Sequence, residues 1–270
     1  MVVARRTLHW KGTAKDLRAS RDPGSRISAV PSALFLVKPC ELCCRDTKIT
    51  SCVSDFRRRR MDIPKAGLMQ HVFAWALAHF NARYERFVSK YKRQLFAAVC
   101  GTVLEIGPGT GTNLRYLPDG LRWIGVETNP FMLSYLNEEA NRLGMPIDIR
   151  IGTADRLPVP DSSVDVVIST LVLCCVPSQR RCLREVLRVL KPGGKFVFIE
   201  HVAAPRGTRL RCIQNLVTPL WKRLGDGCHP NRETWVELEH AGFEKITCET
   251  IKAPTPIVSP QILGVAVKAD

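Results

Sequence analysis

The stretch Val103-Leu-Glu-Ile-Gly-Pro-Gly-Thr-Gly111 decides the fold. It reads as a short apolar strand with one acidic residue, Glu105, followed by Gly107, Gly109 and Gly111. Glycine in a turn that leaves the carboxyl end of a strand lets backbone N–H groups approach a ligand that a side chain would block. We therefore interpret the stretch as a ligand-binding loop between a strand and a helix.

The spacing of the glycines excludes two common nucleotide-binding loops. A dinucleotide fingerprint requires glycine at its first, third and sixth places, but the sixth place counted from Gly107 is Thr112. A phosphate-binding P-loop requires Gly-Lys followed by Ser or Thr, and this tripeptide does not occur in the chain. The ligand must therefore be identified from residues further along.

After Gly101 the sequence alternates between short apolar runs and amphipathic segments. The predicted strands are 102–106, 122–126, 148–151, 164–169 and 195–200, and the predicted helices begin at 112 and cover 130–142 and 178–190. This alternation indicates an α/β fold of parallel βαβ units with helices on both faces of the sheet. A helix at 233–240 and two strands at 243–250 and 262–268 then indicate an antiparallel edge.

Composition divides the chain into a basic tail (1–60), a helical cap (61–100) and a main domain (101–270). The net charge is +15, and residues 1–65 carry fifteen Lys/Arg against six Asp/Glu, which is a surplus of nine. A nucleic-acid-binding domain is expected to carry such a surplus on its folded part. Nucleic acid is therefore not the expected partner.

The basic tail is rich in arginine and serine, has few acids and shows no sustained apolar period, so we expect that it does not fold alone. This composition is typical of a mitochondrial or plastid transit peptide. A disordered basic tail and an extension upstream of a start at Met61 are the alternatives. The expected location is intracellular, in an organelle or at a membrane surface, with the cytoplasm as the alternative.

The chain contains eleven cysteines, and without a secretory signal we expect them to be reduced thiols. The spacing of Cys40, Cys43, Cys44 and Cys52 matches no common zinc pattern, and Cys228 with His229 has no second ligand pair nearby. The sequence therefore predicts no metal site.

The helical cap shows apolar residues at three- and four-residue steps, which indicates an amphipathic helix broken once. Its apolar run, 66–80, is shorter than the roughly 20 residues that span a bilayer. We expect the cap to pack over the mouth of the main domain. The alternative is peripheral membrane contact, since Phe73 and Trp75 flank an apolar face and basic residues lie nearby.

Two further segments predict a nucleoside site. Glu127 ends the second predicted strand about twenty residues after the glycine loop, where a carboxylate can accept hydrogen bonds from ribose hydroxyls. The turn 152–158 follows the third strand, where an adenine edge would meet a side chain and backbone N–H groups. Thr153, Ala154 and Asp155 are the candidates for that contact.

Together with 161–169 and 187–194, these segments resemble the class I S-adenosylmethionine-dependent methyltransferases. The resemblance implies a Rossmann-like sheet of seven strands with the last strand antiparallel. It also implies S-adenosylmethionine as the cofactor, with the glycine-loop amides near its methionyl part. The predicted cofactor-binding residues are Glu105, Gly107, Gly109, Gly111, Glu127, Thr153, Ala154, Asp155 and Thr170.

Three segments, 170–176, 200–204 and 226–235, are similar to the animal methyltransferase-like group that methylates alkyl thiols on endoplasmic-reticulum membranes or lipid droplets. This resemblance implies methyl transfer to a small apolar thiol. The alternatives are methylation of a quinone, sterol or other lipid, and a non-catalytic cofactor-binding or RNA-associated protein.

A thiol must be deprotonated to attack a methyl group well, which predicts a basic group near the carboxyl ends of the fourth and fifth strands. His201 is the first candidate for this catalytic role, with Asp226 and His229 behind it. Cys174 and Cys175 are expected to line the methionyl pocket, because methyl transfer requires no covalent enzyme intermediate.

Overall fold

The computed structural model describes residues 7–11 and 67–270. The strands are β1 (Thr7–Lys11), β2 (Thr102–Ile106), β3 (Arg122–Glu127), β4 (Asp148–Ile151), β5 (Val164–Thr170), β6 (Leu190–His201), β7 (Lys245–Lys252) and β8 (Pro260–Val267). The helices are α1 (Leu68–Phe80), α2 (Ala82–Phe96), α3 (Leu133–Leu143), α4 (Gln179–Val189), α5 (Arg209–Leu224) and α6 (Thr234–Ala241).

The described strands form one sheet in the order β1-β7-β8-β6-β5-β2-β3-β4. The pairs within β2 to β6 are parallel, whereas β8 is antiparallel to both β6 and β7. This confirms the predicted α/β class and the antiparallel last strand. Because β2 lies between β3 and β5, the strand order reverses there, and the carboxyl ends of these strands border a crevice suited to ligand binding.

The sheet has one strand more than the predicted seven. The backbone of β1 pairs in parallel with β7, from Thr7 opposite Lys245 to Lys11 opposite Glu249. This pairing provides partners for backbone groups along the edge of β7. The other expectations for the tail, including those for Cys40, Cys43, Cys44 and Cys52, lie outside the described residues.

Each face of the sheet is covered by its own apolar core. Buried residues of α4 and α6 pack on one face, and buried residues of α2 and α3 pack on the other. The predicted break in the cap is confirmed, because Asn81 separates α1 from α2. The hydroxyl of Tyr84 on α2 donates a hydrogen bond to Gln261 Oε1 at 3.0 Å, which joins the cap to β8.

Two predicted helices differ in the structure. The helix expected from Thr112 is only a 3₁₀ turn, Leu114–Tyr116, and the helix expected from Pro130 begins as a 3₁₀ turn that Asn129 caps through its side-chain oxygen. The helix predicted at 178–190 is α4, which ends at Val189. The Lys191-Pro-Gly-Gly194 segment that follows lies within β6, where the pairing with β5 shifts register, so this strand begins before the predicted 195.

The long helix α5 was not predicted. Its interior contains Pro219, and Gln214 is its one buried residue, whereas Leu216 and Leu220 are exposed. A helix whose apolar residues face outward gives no inward-facing pattern, and an interior proline is normally read as a helix break. For these two reasons the sequence pattern did not predict α5.

A buried ion pair links the cap to the glycine loop. Lys92 on α2 is fully buried, and its Nζ lies 2.6 Å from Glu85 Oε1 and 3.4 Å from Thr112 Oγ1. Burial lowers the pKa of Lys92, and the neighbouring Glu85 carboxylate opposes that effect.

Replacing Lys92 with methionine is expected to lower the free energy of unfolding by about 3 kcal/mol, because Glu85 loses its cation in a mostly buried position. Denaturant unfolding followed by circular dichroism measures the change. The double variant Lys92→Met, Glu85→Gln is the control and is expected to regain much of the loss, since it removes both charges. A single variant as stable as the parent would contradict the prediction.

Candidate functional site

The glycine loop has a backbone that side chains would disturb. Gly107, Gly109 and Gly111 have φ values of +59°, +57° and +79°. A Cβ atom at Gly107 would lie 2.7 Å from Val172 Cγ2, and one at Gly111 would lie 2.9 Å from a methyl group of Leu136. Glycine is therefore required at both positions by conformation and by space.

Helix α1 lies over this loop. A Cβ atom at Gly109 would be 3.6 Å from Leu77 Cδ2 on α1, and no other heavy atom of the described residues beyond its chain neighbours comes within 4 Å. This agrees with the expectation that the cap packs over the mouth of the domain. It places the apolar side chain of Leu77 above the loop.

Glu127 ends β3 beside the loop and is buried. Its Oε1 accepts hydrogen bonds from the backbone N–H groups of Thr128 and Asn129, both at 2.8 Å, and its Oε2 accepts one from Gly109 at 3.0 Å. Burial raises the pKa of Glu127, whereas these three donors favour the carboxylate. A carboxylate has about four acceptor positions, so Oε2 retains capacity for a ligand hydroxyl.

Both carboxylate oxygens of Glu105 accept hydrogen bonds within the protein. This residue is buried on β2, and it accepts hydrogen bonds from Asn113 Nδ2 at 2.8 Å and from Trp123 Nε1 at 3.0 Å. Asn113 also donates to Thr170 Oγ1 at 3.0 Å. Glu105 and Thr170, both predicted to bind the cofactor, are thus joined through Asn113. Asn113 was not among the predicted site residues. The contacts of Glu105 give it a supporting role beneath the loop.

The turn predicted to contact adenine lies where expected. Gly152 follows β4 and donates its N–H to the carbonyl of Glu127 at 3.2 Å, which sets the turn beside the end of β3. Thr153 and Arg156 close the turn through a backbone bridge. Thr153 and Asp155 are half-buried, and Ala154 packs against the core. Their contact with adenine stays a prediction.

Asp226 joins three segments around Glu127. Its Oδ1 accepts a hydrogen bond from Gln70 Nε2 on α1, and its Oδ2 accepts one from Asn129 Nδ2, both at 3.3 Å. Asn129 Nδ2 also donates to the carbonyl of Gln70 at 3.1 Å. Asp226 adopts a φ of +46°, a costly conformation for aspartate that these contacts hold. These bonds position α1, and a catalytic role for Asp226 stays a prediction.

His201 lies at the end of β6, buried among thiols. Its Nε2 is 2.9 Å from Cys228 Sγ, which lies 3.9 Å from Cys174 Sγ. Cys174 Sγ is in turn 3.5 Å from Cys175 Sγ. Bonds from Cys174 and Cys175, together with His201, lower the pKa of Cys228. The structure thus places His201 with Cys228, a contact that the sequence analysis missed.

A glycine loop at the point where the strand order reverses, with an acid at the end of the next strand, defines a class I methyltransferase. The methyltransferase-domain family matches residues 104–198. Human thiol S-methyltransferase TMT1A is 40% identical over 209 residues, which cover 73% of this chain and 86% of the relative. Rat thiol S-methyltransferase TMT1B is 38% identical over 211 residues with the same coverage.

The chain belongs to the class I S-adenosylmethionine-dependent methyltransferases, in the group that contains TMT1A and TMT1B. It is an S-adenosylmethionine-dependent enzyme.

Solved structures show the same fold. A chain of the complex between the Haloferax volcanii Trm112 methyltransferase activator and a methyltransferase aligns with a TM-score of 0.55 at 20% identity, covering 73% of this chain and 98% of that one. The [4+2]-cyclase SpnF aligns with a TM-score of 0.58 at 18% identity, covering 78% and 99%.

The residues present fit S-adenosylmethionine. The loop carries no side chain at Gly107, Gly109 or Gly111, so a ligand can approach its backbone closely, and Glu127 can accept a further hydrogen bond beside Gly109. When bound, this cofactor supplies a methyl group activated by its sulfonium charge. The glycine loop and Glu127 would hold it.

Glu127→Ala is expected to raise the dissociation constant for S-adenosylmethionine roughly 10- to 100-fold, because a charged hydrogen-bond acceptor contributes about 1.5–3 kcal/mol. Isothermal titration calorimetry measures the change. Glu138→Gln, at an exposed position on α3, is the matched control and should bind like the parent protein. An unchanged dissociation constant for Glu127→Ala would remove Glu127 from the cofactor site.

Proposed function

We propose that this protein transfers the methyl group of S-adenosylmethionine to the thiol of a small apolar acceptor. The observation that carries the proposal is the 38–40% identity to two thiol S-methyltransferases over 86% of their length. Quinone, sterol or other lipid acceptors are the alternatives.

The described contacts are suited to such a reaction. Because the methyl group is already activated, the enzyme must chiefly align the acceptor with it and keep water away. Leu77 over the loop provides apolar cover, and the bonds of Asp226 to Gln70 and Asn129 hold α1 in place. His201 and Asp226 are the two candidates for the catalytic base that favours the thiolate.

The acceptor is tested by incubating the full-length protein with labelled S-adenosylmethionine and equal concentrations of alkyl thiols, phenols, quinones and an RNA. Label is expected on the thiols, since a thiolate is the strongest nucleophile of the panel. Glu127→Ala is the control, and its label should fall at subsaturating cofactor. Transfer only to phenols or quinones would contradict the thiol proposal, and no transfer despite cofactor binding would favour the non-catalytic alternative.

We also propose that the protein contacts an intracellular membrane surface through α1 and α5. These helices contact each other, and each carries large apolar side chains that are exposed on one face. The exposed residues are Leu68, Met69, Val72, Trp75, Phe80, Ile213, Leu216, Leu220 and Leu224. Leu68 is 78% exposed and Leu216 is 81% exposed, so both are available to lipid.

Charge favours lipid as the occupant of this apolar face. Arg209, Lys222 and Arg223 are exposed on α5 beside it, and cations there would lie near anionic headgroups. Within the described ranges, no helix is both long and apolar enough to cross a bilayer. The proposed contact is peripheral, with the exposed apolar faces of both helices lying along the membrane surface.

The double variant Leu216→Glu, Leu220→Glu is expected to reduce partitioning onto phosphatidylcholine–phosphatidylserine vesicles at least ~10-fold, because burying each leucine contributes about 1.5–3 kcal/mol. Vesicle co-sedimentation measures the bound fraction. Asn215→Glu adds a negative charge to α5 outside the apolar row and is expected to bind far better than the double variant. Equal binding by the double variant and the parent protein would exclude this face as the membrane contact.

A further inference from the structure

Four potential metal ligands from three segments of the chain meet at the carboxyl edge of the sheet. Cys174 and Cys175 follow β5, His201 ends β6, and Cys228 lies in the loop after α5. Cys174, His201 and Cys228 are buried, and their ligating atoms all lie within 4.8 Å of one another. This group is called the thiol–histidine cluster below.

Two sulfur–sulfur distances in the cluster match those around a tetrahedral zinc ion. The Sγ atom of Cys175 lies outside the group of three ligating atoms that are within 4.8 Å of one another, so it must move inward to complete the tetrahedron. Zn–S bonds of about 2.3 Å place neighbouring sulfur atoms about 3.8 Å apart. The Sγ atom of Cys174 lies 3.9 Å from that of Cys228 and 3.5 Å from that of Cys175. A tetrahedral zinc ion places nitrogen and sulfur ligands about 3.5 Å apart. The 2.9 Å between His201 Nε2 and Cys228 Sγ must therefore lengthen by about 0.6 Å, which a side-chain rotation can provide.

The surroundings also suit a zinc site with three thiolates and one imidazole, which carries one net negative charge. The Arg232 guanidinium donates to the carbonyls of Leu173 at 2.8 Å and Val176 at 2.6 Å, so a cation lies against the turn that carries the two adjacent cysteines. Trp221 Nε1 donates a hydrogen bond to Cys228 Sγ at 3.2 Å. Donors of this kind orient and stabilise thiolate ligands of metals.

We propose that Cys174, Cys175, Cys228 and His201 Nε2 bind one Zn²⁺ ion. Each thiol releases its proton to solvent as its Zn–S bond forms, and the imidazole binds in its neutral form. Thiolates and imidazole in tetrahedral arrangement are the ligands that zinc favours over magnesium, calcium or manganese. Four protein ligands leave no open position, so the ion is structural.

The zinc ion would cross-link three segments at the carboxyl edge of the sheet. It ties the ends of β5 and β6 to the loop that contains Cys228, and that loop also contains Asp226, whose bonds hold α1 over the glycine loop. Bound to zinc through Nε2, His201 acts as a ligand and not as the base for the acceptor. Zinc binding by the cluster does not depend on the identity of the acceptor.

The test measures metal bound to the full-length protein purified and kept under reducing conditions. The parent protein is expected to bind Zn²⁺ stoichiometrically and, after replacement by Co²⁺, to show the thiolate charge-transfer and visible bands of a tetrahedral site. Cys228→Ser is expected to lose this ion. Cys248→Ser removes a thiol that is also buried but lies on β7 outside the cluster, so it is the matched control and should retain the ion.

Two further variants separate the proposal from other causes. A variant with serine at Cys40, Cys43, Cys44 and Cys52 should retain the ion, which assigns it away from the tail. Cys175→Ser, at a less buried position, should weaken metal binding with an unchanged far-ultraviolet circular dichroism spectrum, so loss of the fold cannot account for the result. Chelation should lower the unfolding temperature of the parent protein and leave that of Cys228→Ser unchanged.

Three results would overturn the proposal. These are a reduced parent protein that binds no Zn²⁺, cobalt spectra that are the same for the parent and Cys228→Ser, and loss of the ion on replacing the tail cysteines alone. A mass two hydrogens lower than that of the reduced chain, without metal, would also overturn the proposal if peptide mapping placed the disulfide on Cys174, Cys175 or Cys228.

Discussion

The structure depends first on how the carboxylate of Glu127 is held. Three backbone N–H groups donate to it, two from the turn after β3 and one from Gly109 in the loop after β2. One buried charge therefore fixes the ends of two adjacent parallel strands relative to each other. Without those donors, burying a carboxylate at this edge would cost several kcal/mol. The geometry of the loop and the charge of the acid thus depend on each other.

A second set of polar contacts, beneath that of Glu127, supports the glycine loop. Glu105 and Thr170 belong to neighbouring strands, and the side-chain amide of Asn113 joins them. Because Glu105 is fully surrounded by protein, its acidity serves the scaffold. An acidic residue before a glycine loop can therefore belong to the support of a ligand site even when it lies within the motif that marks that site.

The features visible in the sequence are those that depend on neighbours along the chain. The glycine loop and the position of Glu127 could be predicted because strand ends and the turns after them have local signatures, and the parallel sheet follows from βαβ alternation. The thiol–histidine cluster could not, because His201 and Cys228 are 27 residues apart and Cys174 and Cys228 are 54 apart. Only the sheet order shows that these segments meet. Helix α5 was missed for a different reason, since its apolar residues face outward and carry no signal of a core.

Helix α1 presents different side chains to the glycine loop and to its exposed side. Leu77 faces the glycine loop, while Val72 and Trp75 are exposed on the opposite side. Any molecule that binds the outer face and shifts the equilibrium position of α1 must change the affinity of the loop for its ligand. By thermodynamic reciprocity the ligand must change the affinity of the outer face by the same factor. The effect of an outer-face ligand on cofactor affinity and the effect of the cofactor on outer-face affinity then give the same coupling free energy. A helix of thirteen residues would carry that coupling.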